Sequence, residues 1–167
     1  MIKFEKFEST DYDRLISWVH SEHLMVLFSA HIFNYPLSHE QLDSYTLAGN
    51  RIVYKVIDIA RNKVIGHAEL NNIDSKNRSA RICRVLVGDE QSRNKGYGTQ
   101  IIKELIRIGF DELQLHRLDL GVYELNHQAI ACYKKCGFEI EGLLKENSKF
   151  KEDFWSTYNM SILNNKL

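Results

Sequence analysis

Gln91-Ser-Arg-Asn-Lys-Gly-Tyr-Gly-Thr-Gln-Ile-Ile102 is the stretch on which the reading of this chain turns. Gly96 and Gly98 flank Tyr97, and Arg93, Asn94 and Lys95 stand just ahead of them. Ala80 to Val87, upstream, is a strand-like run that ends in the turn Gly88-Asp-Glu. Downstream, Ile101, Ile102, Leu105, Ile106, Ile108 and Phe110 recur at helical spacing, with Lys103, Glu104, Arg107 and Asp111 on the opposite side. Strand, turn, glycines and helix in that order make an anion site. The first turn of a helix has unpaired N–H groups and the positive end of the helix dipole. Glycines lack the Cβ that would hold an anion away from the backbone. A dinucleotide fingerprint is excluded, because Ile101 stands where a third glycine is required. A phosphate-binding P-loop is excluded as well, because Thr99-Gln100 follows the second glycine in place of Lys and Ser or Thr. For the stretch alone, two readings remain: a pyrophosphate cradle of the kind used for coenzyme A, and a plain glycine turn before an ordinary helix.

Working outward, Ile2 to Phe7 alternates as a strand, and Ser9 or Thr10 is the expected cap of a first helix through Leu15, Ile16 and Val19. His20 to Ser38 has no clear period. Ser38-His-Glu-Gln41 has the form of a capping box opening a second helix through Leu42 and Tyr45. Ile52–Ile59 and Val64–Leu70, separated by Arg61-Asn-Lys63, predict a hairpin. After the glycine stretch, Leu118–Leu125 is a strand, and Asn126 caps a short helix with Ala129, Ile130 and Tyr133 on one stripe, ended by Gly137. Phe138–Leu144 and Phe154–Leu163 are strands around a polar loop, Lys145 to Asp153. The order β-α-α-β-β-β-α-β-α-β-β is an α/β (α+β) layout.

The 167 residues fit one domain, 1–167, with no linker, repeat or low-complexity tract. Acidic and basic residues balance at 22 each, so charge makes no case for nucleic acid or an anionic membrane as partner. The N-terminus is charged from Lys3, unlike a secretory signal, and no apolar run is long enough to span a bilayer. Three cysteines, Cys83, Cys132 and Cys136, suggest free thiols in a reducing, cytoplasmic setting. Cys132 and Cys136, like His20 and His23, lack a second ligand pair, so no metal is expected.

Arg93-Asn-Lys-Gly96-Tyr-Gly98 resembles the [Q/R]-x-x-G-x-[G/A] signature of the GNAT superfamily of N-acetyltransferases. Asn126-His-Gln-Ala129-Ile-Ala-Cys-Tyr133-Lys-Lys-Cys-Gly137-Phe138 resembles that family's second unit, N-x-x-A-x-x-x-Y-x-x-x-G-F. Either motif alone is a moderate signal; together they are a strong one. The resemblance covers roughly Ile52 to Leu163. Within the family, the chain looks most like the ribosomal-protein N-terminal (RimJ/RimL-like) acetyltransferases and their small-amine relatives.

The resemblance implies a mixed, mostly antiparallel twisted sheet of six to seven strands with about four helices. It also implies acetyl-CoA as cosubstrate, without a metal, and an acceptor that is a primary amine on a small molecule or a protein N-terminus. A homodimer is allowed. The pyrophosphate is then expected on Arg93, Asn94, Lys95, Gly96, Tyr97, Gly98 and Thr99, the pantetheine beside Val85, Leu86 and Val87, and Asn126 at the pantetheine or shaping the site. Tyr133 is the expected general acid for the leaving thiolate. Many relatives carry a glutamate near the start of the strand before the pyrophosphate loop, where this chain has Arg81. The base is therefore placed on Glu69, with His67 on the same strand face, or on a water relay. The missing acid also leaves room for a catalytically weak acyl-CoA-binding regulatory protein. The acceptor is expected between Asp11–Gly49 and Lys145–Asp153, whose aromatic residues (Trp18, Phe28, Phe33, Tyr35, Trp155) are candidates for a pocket.

Overall fold

The computed structural model describes residues 1–165. A seven-stranded sheet runs through the molecule in the order β1-β2-β3-β4-β5-β7-β6. Its strands are β1 (Ile2–Lys6), β2 (Ile52–Asp58), β3 (Lys63–Asp74), β4 (Ser79–Val87), β5 (Arg117–Tyr123), β6 (Glu139–Phe150) and β7 (Asp153–Leu163). Every neighbouring pair is antiparallel except β4–β5. The helices are α1 (Tyr12–Trp18), α2 (Glu22–Ser29), α3 (His39–Thr46), α4 (Tyr97–Arg107) and α5 (His127–Lys135).

Two cores lie on opposite faces of this sheet. The apolar stripe of α4, through Ile101, Ile102 and Leu105, is fully buried against Ile65, Ala68, Leu70 and Leu118. On the other face, Leu15, Met25 and Leu42 of α1–α3 pack with Phe7, Phe28, Phe33 and Tyr45. Strand β3 supplies both sides. Ala68 and Leu70 face α4, while His67, Glu69 and Asn71 alternate onto the side covered by α1–α3.

Several expectations are corrected. The first helix is capped by neither Ser9 nor Thr10: a 3₁₀ turn over Ser9–Asp11, with Glu8 as its N-cap and Asp11 Oδ2 accepting from the Glu8 N–H (3.0 Å), leads into α1, whose N-cap is Asp11. The unperiodic segment contains α2, capped by Ser21, whose Oγ accepts from Leu24 N at 3.2 Å. Its run Leu24-Met-Val-Leu-Phe28 is apolar nearly all round because most of it is buried, so no stripe stands out. Ser38 does cap α3, but the Gln41 side chain turns outward to the carbonyls of Asn34 and Pro36 and leaves the box without its reciprocal bond. The polar segment Lys145–Asp153 is mostly strand. β6 continues to Phe150 through a bulge at Glu146 and pairs with β7 across a tight turn at Lys151-Glu152. Its side chains are polar because β6 is an outer strand with both faces largely in solvent.

Candidate active site

β4 and β5 pair only over Ser79–Ile82 and Arg117–Leu120. Beyond that they part, and the edge of β4 from Cys83 to Val87 that faces β5 has no backbone partner. A cavity of about 610 Å³ opens between this edge, the loop before α4, and α5. Val85, Val87, Arg93, Asn94, Gly96, Tyr97, Gly98, Thr99, Asn126 and Tyr133 all line it. Of the expected cofactor residues, Leu86 and Lys95 do not. Leu86 turns its side chain into the core under α1–α3, leaving only its backbone at the strand edge, and Lys95 is exposed outside the lining.

The start of α4 is shaped as an anion cradle. Gly96 takes φ +78°, the left-handed conformation that a side chain disfavours, and it has no side chain to cap the helix. The first intrahelical bond runs from Gln100 N to Gly96 O, so the N–H groups of Tyr97, Gly98 and Thr99 have no helical acceptor. The loop ahead is braced from outside. Asp89 takes Lys63 Nζ at 2.7 Å and Ser92 Oγ at 2.5 Å. The Arg93 guanidinium donates to the Val87 and Gly88 carbonyls at 3.3 Å each. The Tyr97 hydroxyl donates to Asp58 (2.7 Å), which also takes Arg61 at 2.5 Å. Arg61, and after it Tyr97, hold the Asp58 carboxyl down at about 2. Cys132 and Cys136 approach Thr99 from α5 at 3.5 and 3.8 Å and are free thiols. No group of three or more His, Cys, Asp or Glu is placed to hold a metal ion among the described residues.

A second cavity, of about 500 Å³, lies on the α2 side of the fork and shares Val85, Asn126, Ala129 and Tyr133 with the first. Tyr133 therefore stands where the two spaces join. Its hydroxyl makes no hydrogen bond among the described residues, and burial, with the nearby thiols of Cys132, Cys83 and Cys136, raises its pKa above the ordinary tyrosine value. Asn126 caps α5 with Oδ1 (3.2 Å from Ala129 N) and lines both cavities, so the cap leaves it a wall residue of each. Of the aromatic residues expected at the acceptor, only Phe28 reaches the second cavity. Phe33 is core, Tyr35 is exposed, Trp18 packs under Gly88, and Trp155 meets Tyr123 edge-on and Phe150 at a tilt. Asn71, Tyr123 and Ser148 line the space from three distant strands, and no local pattern in the sequence marks them.

Glu69 lines neither cavity. It is fully buried, bonded to Arg84 through Nε and Nη2 (the latter at 2.7 Å), to the Tyr45 hydroxyl, and 3.3 Å from Arg51 Nη1. A bulge at Arg84 (φ +48°) turns that guanidinium onto it. Glu69, expected as the general base, therefore has its oxygens occupied and is closed off from solvent and from both cavities. His67 is buried too. Its Nδ1–H donates to the Arg84 carbonyl (2.8 Å), leaving Nε2 without a partner. Burial lowers its pKa to about 4. The unfolded chain binds this proton near pH 6.5 and the folded one only near pH 4, so the stability it contributes is complete above about pH 6.5 and is lost as pH falls toward 4. A loss of about 3 kcal/mol over that window is expected. Urea midpoints at pH 7 and pH 4.5 check it, with His67→Phe expected to flatten the slope.

Comparison with known proteins agrees with this geometry. The model of the acetyltransferase (GNAT) family matches residues 8–138. An uncharacterised N-acetyltransferase of Bacillus licheniformis is 29% identical over 127 residues, covering 74% of this chain and 68% of that protein. A spermidine N(1)-acetyltransferase of Vibrio cholerae is 31% identical over 111 residues, covering 66% of this chain and 63% of its own length. The crystal structure of spermidine N-acetyltransferase from Vibrio cholerae, in complex with CoA and spermine, superposes with a TM-score of 0.86 at 23% identity, covering 99% of this chain and 96% of that one. Spermidine N-acetyltransferase from Vibrio cholerae is also known as a dodecamer. With two motifs meeting at one forked sheet and a family model spanning most of its length, this chain belongs to the GNAT family of acetyltransferases, whose members move an acetyl group from acetyl-CoA to an amine.

Proposed function

We propose that the two cavities are the donor and acceptor halves of one acetyl-transfer site, within a single domain spanning residues 1–167. The observation that carries this reading is the junction: Tyr133, Val85 and Asn126 border both spaces at once. The N–H groups at the start of α4 bind the pyrophosphate, with Lys95 and Arg93 adding positive charge outside. The free edge of Val85–Val87 pairs with the pantetheine as an added strand would and offers an N–H to the thioester oxygen as charge develops there. Tyr133 supplies the proton that the leaving sulfur gains. With Glu69 locked away, proton removal from the acceptor falls to water entering through the second cavity.

The acceptor is a primary amine. Nothing in the relatives named above favours ribosomal-protein N-termini over a small molecule. Free thiols support a cytoplasmic setting, and among the described residues no helix is long and apolar enough to cross a membrane. Assembly of copies, at least as a homodimer, belongs to the same reading. Outer strand β6 leaves Ile140, Leu143 and Leu144 exposed, and Phe154 is exposed near the far end of the β6–β7 pair.

Gly98→Val tests the donor half. Gly98 lines the cavity inside helical backbone, and a Cβ there meets only Cys132 Sγ, at 3.8 Å. The variant should fold. Gly96→Val adds left-handed strain and is the less clean test, although it too is expected to weaken binding. Acetyl-CoA affinity of Gly98→Val should fall by more than roughly tenfold, about 1.4 kcal/mol. Calorimetry on a variant with an unchanged melting profile measures it, and wild-type affinity would move the pyrophosphate elsewhere. Tight acetyl-CoA binding without turnover on any amine would favour the regulatory-protein reading.

A further inference from the structure

We infer that the acceptor is a small amino-carboxylate, an α-amino acid with an apolar side chain, recognised by Arg81 and Asn71 in the second cavity. This rests on the transfer-site reading above.

Titratable side chains in the wall of that cavity include Arg81, Arg84 and His31, with no aspartate or glutamate among them. A polyamine carries several positive charges and would enter a pocket that offers no carboxylate and is bordered by the Arg81 guanidinium. The nearest acids are spent. Glu69 is shared between Arg84 and Arg51, and Asp119 is bonded to Arg81 and 3.8 Å from Arg117.

Arg81 is placed to take that anion. Its Nη1 is bonded to Asp119 and to Asn159 Oδ1 (3.1 Å), while Nη2 makes no hydrogen bond among the described residues. Nη2 lies over Gly121, 2.7 Å from where a Cβ would stand, so a side chain there would push the guanidinium out of its present position. Arg81 pairs with Asp119 in the parallel register, which puts Gly121 level with Cys83. The guanidinium thus leans two residues up the fork, toward Val85 and Tyr133. A free guanidinium edge is suited to a planar carboxylate.

Asn71 supplies the complementary group. It is the cross-strand partner of Arg81, only 9% exposed, and its Oδ1 is buried without a donor. Buried acceptors of this kind are rare because desolvation is costly, so the oxygen calls for an N–H from a ligand. As cross-strand partners Arg81 and Asn71 present their side chains on one face of the sheet, so one small ligand can meet both. Leu27, Phe28 and Leu144 make the rest of the wall apolar.

The test is a thiol-release assay with acetyl-CoA and a set of apolar L-amino acids, their amides, their decarboxylated amines, and spermidine. A kcat/KM at least tenfold higher for an acid than for its amide and amine, and above that for spermidine, is expected. In Arg81→Gln the acid-to-amide ratio should fall toward one, while acetyl-CoA affinity by calorimetry stays at the wild-type value. A merely structural tie between Arg81 and Asp119 would lower all acceptors together and leave the ratio intact. Equal rates for acid and amide in the wild type, or preference for spermidine, overturns the inference and leaves the transfer site standing. Bound acetyl-CoA with no turnover on any amine overturns both.

Discussion

Tyr133→Phe is expected to lower turnover by roughly 10²-fold, near the bottom of the ~10²–10⁴ range for a positioned acid. The substitution removes one oxygen and almost no volume. Two physical facts set the magnitude. A thiolate is a fair leaving group, so protonation helps it less than it would an alkoxide. Burial also holds the phenol more basic than a thiol, whose ordinary pKa is about 8.5, so full transfer to sulfur runs uphill unless the proton that water takes from the attacking amine is relayed to Tyr133. The two transfers must therefore be closely coupled. What the raised pKa secures is that the phenol stays protonated and ready to donate at neutral pH. Acetyl-CoA affinity should barely change, because the ground-state contacts in the first cavity do not involve this hydroxyl. Stability should also hold, because the hydroxyl has no partner among the described residues to lose. Single-turnover kinetics, which isolate the chemical step, make the measurement. A wild-type rate there removes Tyr133 from the mechanism.

The first cavity, the proposed donor half, could be read in the sequence because its parts are local. Gly96, Gly98 and the α4 stripe sit within one short stretch, and Asn126 to Phe138 forms a second. The backbone rules for helix starts and glycine are written over such distances. The acceptor half was not legible. Asn71 comes from β3, Arg81 from β4, Tyr123 from β5, Ser148 from β6 and Phe28 from α2, and only the sheet order brings them together. The helix α2 that roofs this space carries no amphipathic stripe to announce it. That Glu69 is closed off from both cavities could not be read for a related reason. Alternation along β3 correctly set it beside His67, but whether that face meets solvent or α1–α3 depends on Tyr45 and on the bulge at Arg84. Neither is visible from β3 itself.

Glu69→Gln separates the structural role from the catalytic one and should be the costliest single change considered for the fold. The native carboxylate lies between Arg84 and Arg51 with the Tyr45 hydroxyl bonded to it, all in a site closed to water. An amide of the same shape leaves two buried guanidinium groups facing no negative charge. Removing one partner of a buried ion pair typically costs about 3–5 kcal/mol, because the remaining charge keeps its desolvation penalty. In a chain of this size that lowers the melting temperature by roughly 10 °C or more. The double variant Glu69→Gln, Arg84→Met should recover part of the loss, since it removes one of the stranded charges together with its partner. A double-mutant cycle then gives the coupling directly. Kinetics point the other way. Assayed cold, where the variant remains folded, Glu69→Gln should turn over within a few-fold of wild type with an unchanged pH profile. A general base would instead cost 10²-fold or more and take a limb off that profile. A stable, slow variant would return Glu69 to the chemistry. An unstable but active one fixes it as the charge that holds the bulge of β4, and with it the open edge of the fork, in place.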